Sequence, residues 1–190
     1  MRRRFVVKIS EAKPPLFQLG YVPHNIAAAL DYWTNAMKIG PFFEVPHVPY
    51  DAVTYRGAPT TIDCSLYIAY WGAIQIELVQ QHCDSPSLYT ESLHAGQEGL
   101  HHICYAVEDI DVARQRSLAA GGQLVQELFF ANGGGIYVDF GGGPGAIVEI
   151  LQAPPEGKAM FDMMQAAAAD WDGSEPVRVL DRPQGLSAPA

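Results

Sequence analysis

The feature that most limits what this chain can fold into is a faint internal repeat, two short stretches that each resemble a later one, in the same order. The stretch Gln18-Leu-Gly-Tyr-Val-Pro-His-Asn-Ile26 returns as His102-Ile-Cys-Tyr-Ala-Val-Glu-Asp-Ile110 at an offset of 84 residues, which aligns Gln18 with His102, Tyr21 with Tyr105 and Ile26 with Ile110. The stretch Glu77-Leu-Val-Gln80 returns as Glu149-Ile-Leu-Gln152 at an offset of 72. The two offsets agree if the first copy carries about a dozen extra residues, and 50–61, rich in Pro, Gly and Thr, is the natural place for them. An internal repeat of this length means one supersecondary unit used twice, each copy needing the other to bury its apolar face.

Each copy reads as strand, helix, then three strands. The opening strands fall near 17–22 and 100–107. Asn25 can cap the first helix by accepting a bond from an unpaired helical amide, and Ile26, Ala29, Leu30, Trp33 and Met37 follow at helical spacing. The second helix starts near Asp109 or Asp111 and ends at Gly121-Gly122, where a left-handed turn is cheap. Extended segments follow at 42–48, 64–70 and 74–80 in the first copy, and at 123–130, 136–140 and 146–151 in the second. Glycine-bearing turns at 71–73, 132–135 and 141–144 separate them. A βαβββ unit leaves one sheet face in need of a partner, and two copies side by side satisfy both.

The chain therefore divides into an N-terminal arm (1–15), a first βαβββ module (16–82), a linker (83–98), a second module (99–153) and a C-terminal helix with a tail (154–190). The C-terminal helix is expected over 159–171, with Met160, Phe161, Met163, Met164 and Trp171 free to cover a sheet edge or a dimer partner. An irregular tail is expected from Gly173, disordered over 187–190.

Composition removes several classes of function. With 190 residues, 48% hydrophobic and 17% charged, the chain suits one compact domain. No apolar run reaches the about 18 residues a membrane helix needs, and the apolar stretch after Arg2-Arg3-Arg4 is too short for a secretory signal, so a cytoplasmic location is expected. A formal net charge of −9 argues against a nucleic-acid partner. Cys64, Cys83 and Cys104 are odd in number and form no CxxC pattern, which reads as reduced, packed thiols rather than a disulfide framework or a thiolate zinc site. A homodimer is the default assembly.

The βαβββ repeat, the opening Leu-Gly-Tyr-Val with its helix, the segment Gly99-Leu-His-His-Ile-Cys-Tyr-Ala-Val-Glu-Asp-Ile110, and the endings Ile76-Glu77-Leu78 and Val148-Glu149-Ile150 resemble the vicinal oxygen chelate superfamily over about residues 16–153. The likeness is greatest to its glyoxalase I and methylmalonyl-CoA epimerase branches. The resemblance implies an α+β fold in which two βαβββ modules form a curved mixed sheet around a metal-binding cup. Each module of that family gives one ligand from its first strand and one from its last. Carried over by position, the metal ligands would be Gln18, Glu77, His102 and Glu149. Many members have His where this chain has Gln18, but Gln is a ligand at that place in some glyoxalases.

An imidazole, an amide oxygen and two carboxylates suit one divalent ion, with Zn, Ni, Co, Mn and Fe(II) all admissible. Four protein ligands around an octahedral ion leave open positions, the mark of a catalytic site. The resemblance then implies a lyase, isomerase or epimerase in which a carboxylate, Glu149 first and Glu77 second, removes a proton beside a metal-bound carbonyl of a small-molecule substrate. The alternatives are a non-catalytic small-molecule-binding protein of the bleomycin-resistance kind and an Fe(II) dioxygenase, because one scaffold hosts them all. Strand alternation places His102, Cys104 and Ala106 on one face and His101, Ile103 and Tyr105 on the other, and the match with Gln18 selects His102. It also sets Gln75 and Val79 beside Glu77. His24, His82 and His94 read as surface or loop residues, with His47 at the end of an extended segment. Tyr50, Phe130 and their aromatic neighbours read as core or pocket lining.

Overall fold

The computed structural model describes residues 15–130 and 132–180. Apart from Pro15, the N-terminal arm lies outside the described residues, as does the stretch 187–190. In chain order the elements are β1 (Gln18–Val22), α1 (Ile26–Asp31), which continues as a π-helical turn over Tyr32–Ala36, and β2 (Phe42–Val45). A hairpin follows, β3 (Ala52–Tyr55) and β4 (Ala58–Thr60), and then β5 (Cys64–Trp71) and β6 (Ile74–Gln81). A short helix α2 (Leu88–His94) leads to the second copy: β7 (Gly99–Ala106), α3 (Ile110–Ala119), β8 (Gln123–Phe130), β9 (Gly133–Asp139) and β10 (Ile147–Gln152). Helix α4 (Pro155–Ala169) and β11 (Val177–Val179) complete the set.

All the described strands join one curved mixed sheet, ordered β11-β2-β5-β6-β1-β7-β10-β9-β8-β3-β4. The α+β fold with paired βαβββ modules is the one the repeat implied. In each copy the first strand lies parallel to the last, β1 to β6 and β7 to β10, and β1 meets β7 antiparallel at the seam. The four strands bearing the repeated polar residues are therefore neighbours in the middle of the sheet.

The helices settle on one face for the reasons their sequences give. The Asn25 side chain accepts from the Ala28 amide at 3.0 Å, and Asp109 accepts from Val112 at 2.9 Å, so each helix starts on a side-chain cap. Trp33, Leu30 and Met37 pack with Leu19, Ile76 and Leu78, while Ile110 and Ala113 pack with Ile136, Val138 and Ile150. Alternation sends the intervening residues of the same strands to the opposite face, which is the cup.

Four segments differ from their sequence reading. The extra residues at 50–61 form the β3–β4 hairpin, which crosses to the other module and pairs with its outer strand β8, Val53 opposite Leu128. The tail expected to be irregular from Gly173 contains β11, parallel to β2, with Phe42 donating to Pro176 and Leu180 to Glu44. A sheet edge exposes unpaired donors and acceptors, and three residues suffice to meet those of β2, too few to show alternation in sequence. The glycines 133–135, read as a turn, belong to β9; only Asn132 takes the left-handed conformation, at φ 61°. The linker contains α2, whose Ser87 and Thr90 close a capping box around a run too short to reveal helical period. Among the described residues no helix is long and apolar enough to cross a membrane.

Candidate functional site

β1, β6, β7 and β10 bring Gln18, Glu77, His102 and Glu149 to the cup, all four buried. His102 Nε2 lies 3.4 Å from Glu77 Oε2 and 3.2 Å from Glu149 Oε2, and the three side chains offer ligand atoms within 4.8 Å of one another. Gln18 stands opposite Cys104 across the seam, as Glu149 does from the other side. Two glycines make this convergence possible. A Cβ at position 20 would fall 2.0 Å from the His102 ring, and one at position 135 would fall 2.9 Å from Glu149 Oε1. The imidazole thus rests on Gly20 and the carboxylate on Gly135.

Each first-strand residue is turned by a neighbour. Gln18 donates from Nε2 to Gln75 Oε1, and Gln75 donates to the Tyr70 hydroxyl at 3.0 Å, which fixes which end of the Gln18 amide is spent. Its Oε1 is left buried and without a hydrogen-bond partner. His102 is turned by His101. The β1–β7 register slips at this point: Gly20 faces His102 but Tyr21 faces Leu100, so His101 is an extra residue in β7. The bulge overrides alternation, and His101 Nδ1 comes within 3.0 Å of His102 Nδ1. His101 Nε2 lies 3.4 Å from the Leu88 carbonyl, which can only accept, so that nitrogen carries the proton. His101 Nδ1 is then the acceptor and His102 Nδ1–H the donor, and Nε2 of His102 is the atom presented to the carboxylates.

The electrostatics agree with that assignment. Burial holds the His101 pKa down at about 3, assisted by its charged neighbour His102, so His101 stays a neutral acceptor. Burial also pulls His102 down, but Glu149 and Glu77 together outweigh it and raise the pKa to about 9. Glu77 is pushed up by burial and by Glu149, against the opposing pull of His102. His102 Nε2 nevertheless has no partner in hydrogen-bond geometry. Two buried carboxylates against one imidazolium leave a net negative charge in the cup, and with the unpartnered Gln18 Oε1 they make a donor set that fits a cation in place of the proton on His102.

His102 lies buried beside the carboxylates of Glu77 and Glu149, which with Gln18 stand at the floor of a cavity of about 680 Å³. Its walls come from Leu66 and Ile68 of β5, Leu128 and Phe130 of β8, and Met160, Phe161 and Met163 of α4. Helix α4 is held against the sheet by Met164, buried with Phe43, Ile68 and Tyr70. Tyr50, Tyr89 and Tyr137 add hydroxyls, those of Tyr89 and Tyr137 being 2.8 Å apart. Burial, first of all, raises the pKa of all three phenols, so they remain protonated donors.

Other residues singled out in the sequence lie elsewhere. His47 pairs with Asp63 at 2.7 Å and packs its ring beside His82, and it does not line the cavity. Cys104 is buried between the strands of Gln18 and Glu149, with burial pushing its thiol pKa well up. Sequence reasoning put His101 on the opposite face, set Gln75 beside Glu77 without assigning it a role, and gave Tyr89, Gly20 and Gly135 no part. A glycine inside a strand pattern was the available signal, since it marks close approach of another group.

The profile of the Glyoxalase/Bleomycin resistance protein/Dioxygenase superfamily matches residues 17–140, which include Gln18, Glu77 and His102; Glu149 lies beyond and is placed by the repeat. No curated protein matches the chain. Among solved structures, a hypothetical protein of Bacillus halodurans is similar at 16% identity with a TM-score of 0.56, over 75% of this chain and 96% of that one. Methylmalonyl-CoA epimerase from Mycobacterium tuberculosis is similar at 17% identity with a TM-score of 0.53, over 76% of this chain and 91% of that one. At such identities the likeness concerns the fold.

Proposed function

Since the chain belongs to the glyoxalase/bleomycin resistance protein/dioxygenase superfamily, we propose that it is a divalent-metal-dependent enzyme of the isomerase, epimerase or lyase kind, taking a proton from the carbon beside a substrate carbonyl. The observation that carries this reading is the pair of unpartnered buried atoms, His102 Nε2 and Gln18 Oε1, set among two buried carboxylates. A protein that merely holds a ligand gains nothing from that arrangement. An ion held by Gln18, Glu77, His102 and Glu149 would supply Lewis acidity that stabilises charge developing on the carbonyl oxygen.

Glu149 is the proposed base. Its carboxylate lies over the bare backbone of Gly135, while Glu77 has no glycine beneath its carboxylate among the described residues whose added Cβ would meet it. The carboxylate of Glu149 accepts the proton, and the apolar walls keep water from competing for it. The two carboxylates come from different modules and flank His102 from two sides. A proton returned by Glu77 to the opposite face of the same carbon gives inversion; one returned to a neighbouring atom gives isomerisation; one returned to its original place gives exchange alone.

The test is hydrogen exchange in heavy water. The protein loaded in turn with each of Zn, Ni, Co, Mn and Fe(II) is incubated with a panel of thioesters, thiohemiacetals and simple ketones, and loss of the proton beside the carbonyl is followed by NMR. Exchange by wild type and its disappearance in Glu149→Gln are expected. Ligands that bind without exchange under every metal would overturn the reading and leave a binding protein.

A further inference from the structure

We infer that the cup takes an uncharged, largely apolar carbonyl compound, and that helix α4 is the wall that selects for it; this rests on the proposed reading of the same site. Charge is the first argument. The side chains lining the cavity include Glu77, Glu149 and Glu156, and no Lys or Arg among the described residues lines it. A divalent ion at the floor is already neutralised by Glu77 and Glu149, so it offers a second anionic group no net attraction. A ligand carboxylate, sulfonate or phosphate inside the cup would lose its water beside two buried carboxylates, with the exposed Glu156 at the edge, and find no Lys or Arg among the described residues of the lining.

Shape and polarity supply the second argument. Leu66, Ile68, Leu128, Phe130, Met160 and Phe161 face the space, and a cavity of about 680 Å³ holds a compact multi-ring molecule. The α4 residues close one side: Phe161 packs on Phe17 at 5.6 Å between ring centres, and Met164 anchors the helix from behind. Methionine fits its flexible thioether to irregular apolar ligands. The Tyr89–Tyr137 pair supplies one neutral polar contact. One hydroxyl donates to the other, so the second keeps its own proton for a ligand oxygen.

The test uses two fluorescent probes with the same ring system, neutral N-phenylnaphthylamine and its anionic counterpart anilinonaphthalene sulfonate. Titration of wild type, with and without Zn, is expected to show saturable binding of the neutral probe, one per chain, and at least tenfold weaker binding of the sulfonate. Met163 stands at the cavity mouth with 43% of its surface exposed, a place where lysine can be carried without unfolding. Met163→Lys is expected to weaken the neutral probe and strengthen the sulfonate, while Val112→Lys, on the outside of α3, changes neither. Equal or tighter binding of the sulfonate by wild type, or a neutral probe indifferent to Met163→Lys, would overturn the inference. Metal content is measured separately on the same samples. Probe discrimination without metal defeats the catalytic reading alone, and metal without discrimination defeats this one alone.

Discussion

The two copies of the βαβββ unit bring the same backbone places to the site and fit them out differently. Both last strands deliver a carboxylate, but β1 delivers an amide and β7 an imidazole. An amide has to be turned so that its oxygen rather than its nitrogen is free, and Gln75, on the parallel neighbour of β1, does this by taking the Gln18 Nε2 bond. An imidazole needs one tautomer chosen. At the offset of the last strands Gln75 falls on Ile147, so the second copy has no polar group in that place and instead bulges His101 out of β7. Gly20 likewise falls on Cys104 in the second copy. The flat ring of His102 needs the space above Gly20, and the slimmer amide of Gln18 needs none. The lesson is that a repeat transmits backbone positions, while the groups that aim each side chain are supplied locally.

The largest expected effect separates the two carboxylates. Glu149→Gln should lower turnover by about 10²–10⁴-fold, the ordinary worth of a positioned base, with Glu77→Gln costing less. Equal losses in steady-state kinetics would break the assignment of roles. Next comes the glycine comparison. Gly20→Ala should displace His102, abolish metal binding and cost roughly 1–3 kcal/mol in urea unfolding. Cys104→Ala, at the matching place in the other copy, should cost about 1 kcal/mol and leave the metal in place.

The aiming residues should show a smaller change, read as metal affinity by competition with a chelator. His101→Ala should weaken binding by about 10–100-fold, and His101→Asn, whose Oδ1 can replace Nδ1 as acceptor, should restore most of it. Gln75→Leu should fall at the lower end of the same range, about tenfold. An unaltered affinity in His101→Ala would mean that His102 needs no tautomeric guide. The smallest effect concerns the helix caps, where the copies should behave alike: Asn25→Ala and Asp109→Ala should each cost about 1 kcal/mol.

How much of this was legible follows from the same contrast. The repeat, the cap at Asn25, the start of the second helix near Asp109 or Asp111, and the strands bearing Gln18, Glu77, His102 and Glu149 are encoded by local period and side-chain chemistry, and they can be read from one sequence. The hairpin at Ala52–Thr60 was legible as an insertion, but its pairing with β8 depends on a sheet edge more than sixty residues away in the chain. β11 was hidden because three residues carry no period. His101 was misplaced because alternation assumes an unbroken ladder, and the bulge depends on how β1 and β7 meet. The part played by α4 in the cup was invisible for a similar reason. A row of Met and Phe says that a helix face is covered, and not whether a cavity lies between it and its cover.

The central claim, a metal held jointly by the two copies, is tested most directly by calorimetric titration of divalent ions into metal-free wild type and His102→Ala. Because the His102 pKa is raised to about 9, Nε2 carries a proton at pH 7.5 that an ion must displace. Wild type should bind one ion per chain and release about one proton from His102, measured across buffers of different ionisation heat, with that release fading as pH rises through about 9. His102→Ala should bind none. Wild type that takes up no Zn, Ni, Co, Mn or Fe(II) would contradict the account.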